Sequence, residues 1–412
     1  MPHVVILGAG IVGLCCARSA QRRGWNVTLI DRDFEGDRAS HGNAGGIAVS
    51  ECVPLDLSGM GLKPLRWLLD PLGPLAIRAA HAPRLLPWYM ALRQVSKRGN
   101  YARIGDALAA LNRRSLSDFE AMLGDIGRTS DLHKRGALTV YETDEAFRGD
   151  APSWQFKRDR GVRWRTVGKE ELRSLEPGLA PVFSRAVMLE DWAHIDDPLR
   201  IVEALRERVK VGGAELVAGQ ADRIDLSDAL QPAVRLTGGR VIQGDKLVIA
   251  TGAWSASLAK SAGDRALIES ERGYNTTLPA SATKLRREVI FAERMFVATP
   301  LSIGLRIGGA AEFAGLQAPA NFRRSEALLK LARRYLPDLD ERGAKQWMGH
   351  RPTTPDSLPV IGPSPSNERL LYAFGHSHLG LTQCATTGEL IGELLQGERP
   401  SVDLAPYAIT RF

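Results

Sequence analysis

Three glycines follow the first hydrophobic run of the chain at the spacing of a phosphate-binding loop. Gly8, Gly10 and Gly13 stand between the strand-like residues 3–7 and a stretch with helical spacing of apolar residues that begins at Ile11. In such a loop the first glycine permits a tight turn, the second lets the backbone approach a pyrophosphate, and the third lets the helix pack on the strand. The helix N-terminus then offers free N–H groups to the phosphates. The predicted contacts of this loop are Gly8, Gly10, Ile11, Val12 and Gly13.

A carboxylate stands at the end of the second predicted strand. Asp31 closes the run 25–30 and lies 18 residues after Gly13. A carboxylate in this place accepts hydrogen bonds from a ribose diol and repels a 2′-phosphate. The beginning of the chain therefore predicts a strand–helix–strand unit that holds the ADP half of a dinucleotide, with FAD and NAD both open.

Three later segments combine glycine with small polar residues, a composition that lets a backbone pass close to a ligand. They are residues 36–52, the turn Thr251-Gly252 after a predicted strand over 245–250, and residues 375–382, which lead into a helix. The last segment brings a second helix N-terminus, whose positive dipole end favours negative charge. Each segment alone is weak evidence for a cofactor.

Composition limits the class of protein. The 412 residues carry a formal net charge of +7 and ordinary apolar and charged fractions, which predicts a soluble globular protein of about two domains. The excess charge is small for this length and no basic, aromatic RNA-binding module is visible, so we expect no nucleic acid partner. No stretch reaches membrane-spanning length, and the apolar N-terminus lacks the basic start of a signal peptide. The sequence favours the cytoplasm, with any membrane contact peripheral.

The cysteines and the paired arginines have structural interpretations. The four cysteines show no spacing of a zinc site or a disulfide framework, and we expect buried, reduced side chains and no metal. The arginine pairs at 22–23, 286–287, 323–324 and 333–334 are interpreted as solvated surface.

Six motifs, taken in their order along the chain, resemble the glycine oxidase/D-amino acid oxidase superfamily of flavoproteins. They are residues 8–13 with Asp31, residues 39–46, residues 250–255, Arg272-Gly273-Tyr274, residues 349–356 around Arg351-Pro352, and residues 375–380. The leucine- and tryptophan-rich tract at 63–68 looks like the D-amino acid dehydrogenase branch of that superfamily. The resemblance covers the chain to about Gly397. It is specific for the superfamily and much less specific for the substrate.

The resemblance implies FAD as the cofactor. Members with covalent flavin carry a cysteine just before the arginine region, where this chain has Met348 and His350, so non-covalent FAD is expected. Residues 40–46 would line the isoalloxazine ring, the strand around Gln220 the adenine side, and residues 380–382 the pyrimidine edge. Beyond the phosphate loop, the implied contacts are Asp31, Arg32, Ser40, Asn43, Ala44, Gly45, Gly46, Ala221, Thr251, Gly252, Trp254, Gly349, Arg351, His378, Leu379, Gly380, Leu381 and Thr382.

The resemblance also implies three residues for substrate chemistry. Arg351 would grip the substrate carboxylate with two parallel hydrogen bonds. A tyrosine that helps hold the carboxylate in some members is replaced by Phe296, and Tyr274 is the candidate substitute; His378 completes the set. The alternatives stay open: Arg351 could cap a strand or pair with Asp356, and a loop histidine is more often bonded within its loop than catalytic.

The implied fold is α/β with α+β parts: a discontinuous Rossmann-like FAD-binding domain and an inserted mixed or antiparallel sheet domain for the substrate. The predicted cofactor domain comprises residues 1–80, 195–257 and 345–412, and the predicted substrate domain comprises residues 81–194 and 258–344.

The implied activity is oxidative deamination of an amino acid, with a D-amino acid or a D-proline-like substrate favoured. Hydride would pass from the substrate Cα to flavin N5, and the electrons would pass on to a quinone or another acceptor. An oxygen-using oxidase of the glycine or sarcosine type is the nearest alternative, and a tRNA-modifying flavoprotein or a non-catalytic FAD subunit is the alternative of another class. The expected location is the cytoplasm or the inner face of the cytoplasmic membrane, and the oligomeric state stays open.

Overall fold

A computed structural model describes residues 1–36, 38–55, 75–95, 97–228 and 230–412. The tract at 63–68 that suggested the dehydrogenase branch lies outside the described residues. The helices are α1 (Ile11–Arg22), α2 (Ala82–Val95), α3 (Arg98–Asp125), α4 (Asp144–Gly149), α5 (Ala151–Asp159), α6 (Lys169–Leu175), α7 (Pro198–Val211), α8 (Ser255–Ser261), α9 (Arg323–Ala332) and α10 (Gly380–Gln396). Short 3-10 turns cover Thr129–Asp131, Gly252–Trp254, Ala292–Arg294, Ala405–Tyr407 and Ile409–Arg411.

The strands form two large and two small sheets. In chain order they are β1 (His3–Leu7), β2 (Asn26–Asp31), β3 (Gly46–Ile47), β4 (Leu75–Ile77), β5 (Leu132–His133), β6 (Ala137–Tyr141), β7 (Trp164–Gly168), β8 (Arg185–Leu189), β9 (Ala193–Ile195), β10 (Glu215–Ala218), β11 (Ala221–Asp225), β12 (Ala233–Leu236), β13 (Val241–Gln243), β14 (Lys246–Ile249), β15 (Glu269–Leu278), β16 (Glu288–Phe291), β17 (Phe296–Leu301), β18 (Gly304–Phe313), β19 (Lys345–Thr353), β20 (Val360–Pro363) and β21 (Leu370–Phe374).

The first strand lies inside a six-stranded sheet in the order β10-β2-β1-β14-β21-β20. All its pairings are parallel except that of β20 with β21. Strand β1 is an apolar run because both of its faces are covered. Val4 and Ile6 belong to the core shared with α1 and α10, whereas Val5 and Leu7 belong to the core on the opposite face.

The second large sheet is mixed and mostly antiparallel, in the order β19-β15-β18-β17-β16-β6-β8-β7, with β4 added beside β18. Strand β16 runs parallel to β6 and antiparallel to β17. A separate core that includes Phe291, Phe296 and Tyr335 packs on this sheet. The two sheets confirm the predicted combination of a Rossmann-like unit with a mixed sheet.

Helices α1 and α10 pack in close contact although they stand at opposite ends of the chain. A Cβ atom at Gly388 would lie 2.8 Å from atoms of Cys15, and one at Gly392 would overlap Ser19 Oγ. The two glycines therefore allow α10 to lie against α1, the helix that follows the phosphate loop.

One helix start agrees with its sequence pattern, and another differs. Aspartate followed by proline is typical of a helix start, and α7 begins at Pro198 with the side chain of Asp197 accepting a hydrogen bond from Leu199 N (3.1 Å). Helix α10 begins at Gly380, inside the segment 375–382 that the sequence predicts to precede the helix.

The division into domains stays a prediction, and two elements cross it. Strand β19, which the prediction assigns to the cofactor domain, pairs with β15 in the nine-stranded sheet. Helix α3, assigned to the substrate domain, contributes Leu111, Phe119 and Leu123 to the core around α1.

Candidate active site

The phosphate loop is shaped by close contacts that leave no room for side chains. Gly8 has a φ of +103°, and a Cβ there would lie 2.5 Å from the carbonyl oxygen of Ala250. A Cβ at Gly13 would overlap the carbonyl oxygen of Gly8. The loop therefore passes directly between strand β14 and helix α1, as a phosphate-binding turn requires.

The N-terminus of α1 fits a pyrophosphate. Gly10 occupies the N-cap position with an extended backbone and without a side-chain cap, and it lines the large cavity of the protein. Ser40 Oγ accepts from Ile11 N at 3.0 Å and so brings the second glycine-rich segment beside the helix start. A cradle of backbone N–H groups and small residues at a helix N-terminus suits the phosphates of FAD.

Asp31 lies at the end of β2 as predicted, and its carboxylate already has protein partners. Asp31 Oδ2 accepts from Ala9 N at 2.6 Å and from Arg38 Nη1 at 3.0 Å. The guanidinium carbon of Arg32 lies 4.0 Å from the centre of the Trp254 ring, a cation–π contact that joins two predicted cofactor residues. These side chains line the cavity.

The cavity has a volume of about 1340 Å³. That exceeds the roughly 300–1,000 Å³ of a typical small-ligand pocket and suits a dinucleotide together with a small substrate. The predicted residues that line it are Gly8, Gly10, Ile11, Val12, Asp31, Arg32, Ser40, Asn43, Ala44, Gly45, Gly46, Ala221, Thr251, Gly252, Trp254, Tyr274, Gly349, Arg351, His378, Leu379, Gly380 and Leu381.

Two predicted residues stand behind the cavity wall. Gly13 packs under the loop against Gly8, the role that the third glycine of this motif serves. Thr382 is buried, and its Oγ1 accepts a hydrogen bond from Ala48 N at 2.9 Å. Thr382 thereby ties helix α10 to the segment that follows the second glycine-rich loop.

The loop 40–46 rests on the nine-stranded sheet through residues that the sequence did not single out. Arg306, buried on β18, donates from Nη1 to the carbonyl oxygen of Asn43 at 2.6 Å. Asn275 on β15 donates from Nδ2 to the carbonyl oxygen of Gly42. The mixed sheet therefore supports the loop predicted to line the isoalloxazine ring.

Arg351 lines the cavity and forms an ion pair with Glu271. Its Nη1 donates to Glu271 Oε1 at 2.9 Å, across the paired strands β19 and β15. The predicted alternative partner, Asp356, instead accepts from Arg411 at 2.8 Å. The Nε and Nη2 atoms of Arg351 bond to no described residue, so one edge of the guanidinium stays available in the cavity.

Glu271 joins Arg351 to His378. Its Oε1 also lies 2.7 Å from His378 Nε2, and its Oε2 accepts from Thr353 Oγ1 at 3.1 Å. Burial alone would raise the pKa of Glu271, but His378, Arg351 and Thr353 outweigh that effect and lower it to about 2. The cavity wall therefore holds an ionised carboxylate that the sequence prediction missed.

The hydroxyl group of Tyr274 is directed toward Glu312. Tyr274 is buried, lines the cavity, donates to Glu312 Oε2 at 2.5 Å and accepts from Asn321 N at 3.1 Å. Burial and the Glu312 carboxylate raise the pKa of Tyr274. Its role as a carboxylate ligand stays a prediction. Phe296 stacks on Phe291 with ring centres 4.1 Å apart and offers no polar group.

Three histidines lie near Arg351, and their settings differ. His376 is buried and bonds to Thr387 Oγ1 at 2.9 Å, and burial lowers its pKa to about 3. His350 Nδ1 lies 2.7 Å from Ser270 Oγ, and burial, with smaller effects from nearby arginines, lowers its pKa to about 4. His378, by contrast, is 60% exposed at its side chain.

Backbone strain is concentrated at the cavity. Four non-glycine residues within the described ranges have φ between +49° and +64°, namely Met295, Ala310, Ser357 and Ser377, and all four line the cavity. Such conformations cost roughly 1–3 kcal/mol each and persist only where the surrounding structure imposes them. Their positions support the cavity as the functional site.

Replacing Gly273 with alanine tests the position of the Arg351 side chain. A Cβ at Gly273 would overlap Nη2 of Arg351, so Gly273→Ala should displace the guanidinium and raise KM for a carboxylate substrate by roughly tenfold or more. Gly168→Ala, where no atom lies within 4 Å of the new Cβ, is the control and should leave KM unchanged. Equal KM values for Gly273→Ala and wild type in steady-state kinetics would contradict the assigned position of Arg351.

Glu288 is a second buried carboxyl group in the cavity wall. Trp192 Nε1 donates to its Oε2 at 3.1 Å, and a Cβ at Gly46 would overlap the same oxygen. Burial raises the pKa of Glu288 to about 7, and the Trp192 hydrogen bond opposes this only in part. Glu288 thus lies beside the loop predicted to line the flavin, with its own charge sensitive to pH.

The raised pKa of Glu288 predicts a pH-dependent stability. The folded protein keeps a proton that the unfolded chain releases above about pH 4.5, so this contribution falls as pH rises through about 7. Glu288→Gln should therefore be more stable than wild type at pH 8, by at most roughly 3 kcal/mol, and should lose the advantage below about pH 4.5. Urea unfolding of the holoenzyme at several pH values measures this, with the exposed Glu398→Gln as control. A constant difference across pH would refute the assignment.

Metal and thiol chemistry find no support in the described part of the chain. No group of three or more histidine, cysteine, aspartate or glutamate side chains there could hold a metal ion. The four cysteines are free and buried. Burial raises the pKa of Cys52 to about 11, which keeps its thiol protonated.

Fold and site together define a dinucleotide-dependent enzyme in which a glycine-rich loop and an arginine line one continuous cavity. The family described as "DAO: FAD dependent oxidoreductase" matches residues 3–394, and the chain belongs to this family. The protein is therefore an FAD-dependent oxidoreductase, which confirms the predicted class and cofactor.

Individual relatives match along the whole chain. A D-amino-acid oxidase of Bradyrhizobium diazoefficiens is 35% identical over 420 residues, covering 100% of this chain and 99% of the relative. A D-amino acid dehydrogenase of Rhizobium johnstonii is 28% identical over 419 residues, covering 99% of each. The crystal structure of glycine oxidase from Geobacillus kaustophilus has a TM-score of 0.76 at 21% identity, covering 100% of both chains, and this likeness shows the fold.

Proposed function

We propose that the protein catalyses the oxidative deamination of D-amino acids and passes the electrons to a quinone. The observation that carries the proposal is the free edge of Arg351 in the cavity that begins at the phosphate loop. A guanidinium edge with two parallel donors matches a carboxylate. The D configuration is supported by the relatives named D-amino-acid oxidase and D-amino acid dehydrogenase.

The residues around Arg351 would orient the substrate and exclude water. When bound, FAD supplies a two-electron acceptor for the hydrogen on the substrate Cα. The carboxylate would be held by Arg351, which fixes the direction of the Cα–H bond. An apolar wall adjoins this position because Phe313 is the strand neighbour of Glu271 and packs on Trp88 at 5.3 Å between ring centres. We therefore expect apolar side chains, including the proline ring, to be preferred.

Anaerobic reduction of the flavin tests the proposal. The purified holoenzyme is mixed without oxygen with D-alanine, D-proline and D-phenylalanine, with their L enantiomers, and with D-glutamate and D-lysine. We expect the visible absorbance of the oxidised flavin to bleach with the apolar D-amino acids and far more slowly with the others. Absence of bleaching with every amino acid would overturn the proposed function.

An oxygen-using oxidase is the second candidate, because the relative at 35% identity is named D-amino-acid oxidase. The reduced enzyme separates the two candidates. Rapid reoxidation by a water-soluble quinone and slow reoxidation by oxygen supports the dehydrogenase. The reverse order of rates, with hydrogen peroxide as a product, supports the oxidase.

Helix α2 offers a surface for contact with a membrane that holds the quinone. Leu86, Tyr89 and Met90 are exposed on this helix, and Tyr89 also lines the cavity together with Leu85 and Trp88. The sequence from 75 to 105 contains no acidic residue, which suits an anionic lipid surface. Within the described ranges no helix is long and apolar enough to span a bilayer. We propose peripheral contact through α2.

Co-sedimentation with vesicles tests this contact. Wild type should bind vesicles that contain an anionic phospholipid, and replacement of Leu86, Tyr89 and Met90 by serine should weaken the binding at least tenfold. The exposed Val211→Ser is the control and should bind like wild type. Equal binding by the triple variant would overturn the assignment of α2.

A further inference from the structure

We propose that His378, oriented by Glu271, accepts the ammonium proton of an amino acid bound at Arg351. The proposal rests on the proposed function, because it requires a substrate that carries both a carboxylate and an ammonium group. His378 would be a catalytic residue, since it touches the substrate amine, and Glu271 a positioning residue that acts through His378.

The hydrogen bond to Glu271 decides which nitrogen of His378 can accept a proton. An ionised carboxylate only accepts hydrogen bonds, so Nε2 of His378 carries the hydrogen in the 2.7 Å contact with Glu271 Oε1. In a neutral imidazole Nδ1 then keeps its lone pair. This Nδ1 bonds to no described residue, and the side chain lines the cavity and is 60% exposed.

The backbone fixes His378 next to Arg351. Ser377 has a φ of +49°, and its N–H donates to the carbonyl oxygen of Pro352 at 3.1 Å. The residue before His378 is thus bonded to the residue after Arg351. Because the strained turn directs His376 into the core and leaves His378 at the cavity, the geometry brings a carboxylate-binding group and a proton acceptor together.

The charges around Glu271 favour the proton transfer once a substrate carboxylate has bound. Without substrate, Glu271 neutralises Arg351. The substrate carboxylate takes over this role at Arg351, and the charge of Glu271 then favours a protonated His378. In the transfer one N–H bond of the ammonium breaks, its electron pair stays on nitrogen, and the proton binds Nδ1. The substrate carboxylate then pairs with Arg351, and Glu271 pairs with the protonated His378. The neutral amine has the free electron pair that forms the C=N bond.

Other titratable groups near His378 do not compete for this proton. From β19, His350 faces the same cavity, but burial lowers its pKa to about 4 and its Nδ1 is engaged with Ser270. From the loop of His378 itself, His376 is buried with a pKa of about 3. From β15 and β19 the charged neighbours are Glu271 and Arg351.

Proton uptake on binding a carboxylate without an amine is the first test. Calorimetric titration of the holoenzyme with propionate, in buffers of different ionisation enthalpy, measures the protons taken up. Wild type should take up a fraction of a proton, and His378→Gln and Glu271→Gln, each saturated with FAD, should take up almost none. His81→Gln is the matched control, because His81 pairs with Glu269 on the same strand and does not line the cavity. Unchanged uptake in His378→Gln would refute the proposal.

The pH dependence of flavin reduction is the second test. In stopped-flow experiments with a D-amino acid that reduces wild type, His378→Gln should be slower near neutral pH by a factor on the order of 100. The deficit should close at high pH, where the substrate arrives with a neutral amine. A deficit that is equal at every pH, or absent, would refute the proton-acceptor role while the proposed function stands. Lack of reduction of wild type by any amino acid would instead overturn the proposed function.

Discussion

Replacing Arg351 with alanine is expected to lower kcat/KM for a D-amino acid by roughly a thousandfold. Two charge-assisted hydrogen bonds to the substrate carboxylate are each worth about 1.5–3 kcal/mol, and about 1.4 kcal/mol corresponds to a factor of ten. The substitution also leaves Glu271 without its cationic partner on β19. Steady-state kinetics with D-alanine and titration with propionate measure the two losses.

Two controls separate loss of the carboxylate site from loss of the fold. Both measurements on the Arg351→Ala protein are made at saturating FAD and expressed per bound FAD, because Arg351 is also among the expected FAD contacts. Arg163→Ala removes an exposed arginine that pairs with Asp191 and should change neither measurement. Wild-type affinity of the Arg351→Ala protein for propionate would show that the carboxylate binds elsewhere.

Replacing Gly10 with alanine is expected to weaken FAD binding by at least roughly a hundredfold without unfolding the protein. The backbone at Gly10 (φ −69°, ψ 171°) is open to any residue, and the nearest atom to a new Cβ is Ser40 Oγ at 3.4 Å. The protein alone therefore has room for the methyl group. The second glycine of such a loop is the place where the pyrophosphate approaches the backbone, so the methyl group would meet the cofactor.

Gly13→Ala is the matched contrast to Gly10→Ala. Its Cβ would overlap the carbonyl oxygen of Gly8 inside the protein, so the apoprotein itself should lose stability. Fluorescence titration of each apoprotein with FAD, together with thermal unfolding, distinguishes the two effects. Full FAD affinity in Gly10→Ala would refute the placement of the pyrophosphate at this glycine.

Sequence patterns predicted those parts of the fold that are determined by residues close to one another along the chain. The strand–loop–helix unit of residues 3–22, the cap at Asp197 and the class of fold follow from glycine spacing, helical periodicity and capping chemistry, which act over a few residues. The sequence predicts that α10 follows residues 375–382, because glycine, serine and histidine at 375–380 are typical of a loop, but the helix begins at Gly380.

Long-range pairing explains what the sequence could not predict. Glu271 meets Arg351 because β15 and β19 pair in one register, and the two residues are 80 positions apart. The solvated-surface interpretation of the arginine pairs was wrong for two members. Arg287 pairs with the buried Glu176, and Arg324 is 1% exposed and donates to Ala311 O. A charged residue is interpreted as exposed when its distant partner cannot be identified from the sequence.

The packing of α1 against α10 has a consequence for synthesis of the chain. A ribosome releases the phosphate loop first, but strand β14, which borders that loop, begins at Lys246, and helix α10 begins at Gly380. Until β14 and α10 have emerged, the apolar sides of β1 and α1 are exposed to solvent and can associate with other chains. FAD can therefore join only a nearly finished polypeptide. A nascent chain stopped before Gly380 should keep every glycine of the loop and still bind no FAD.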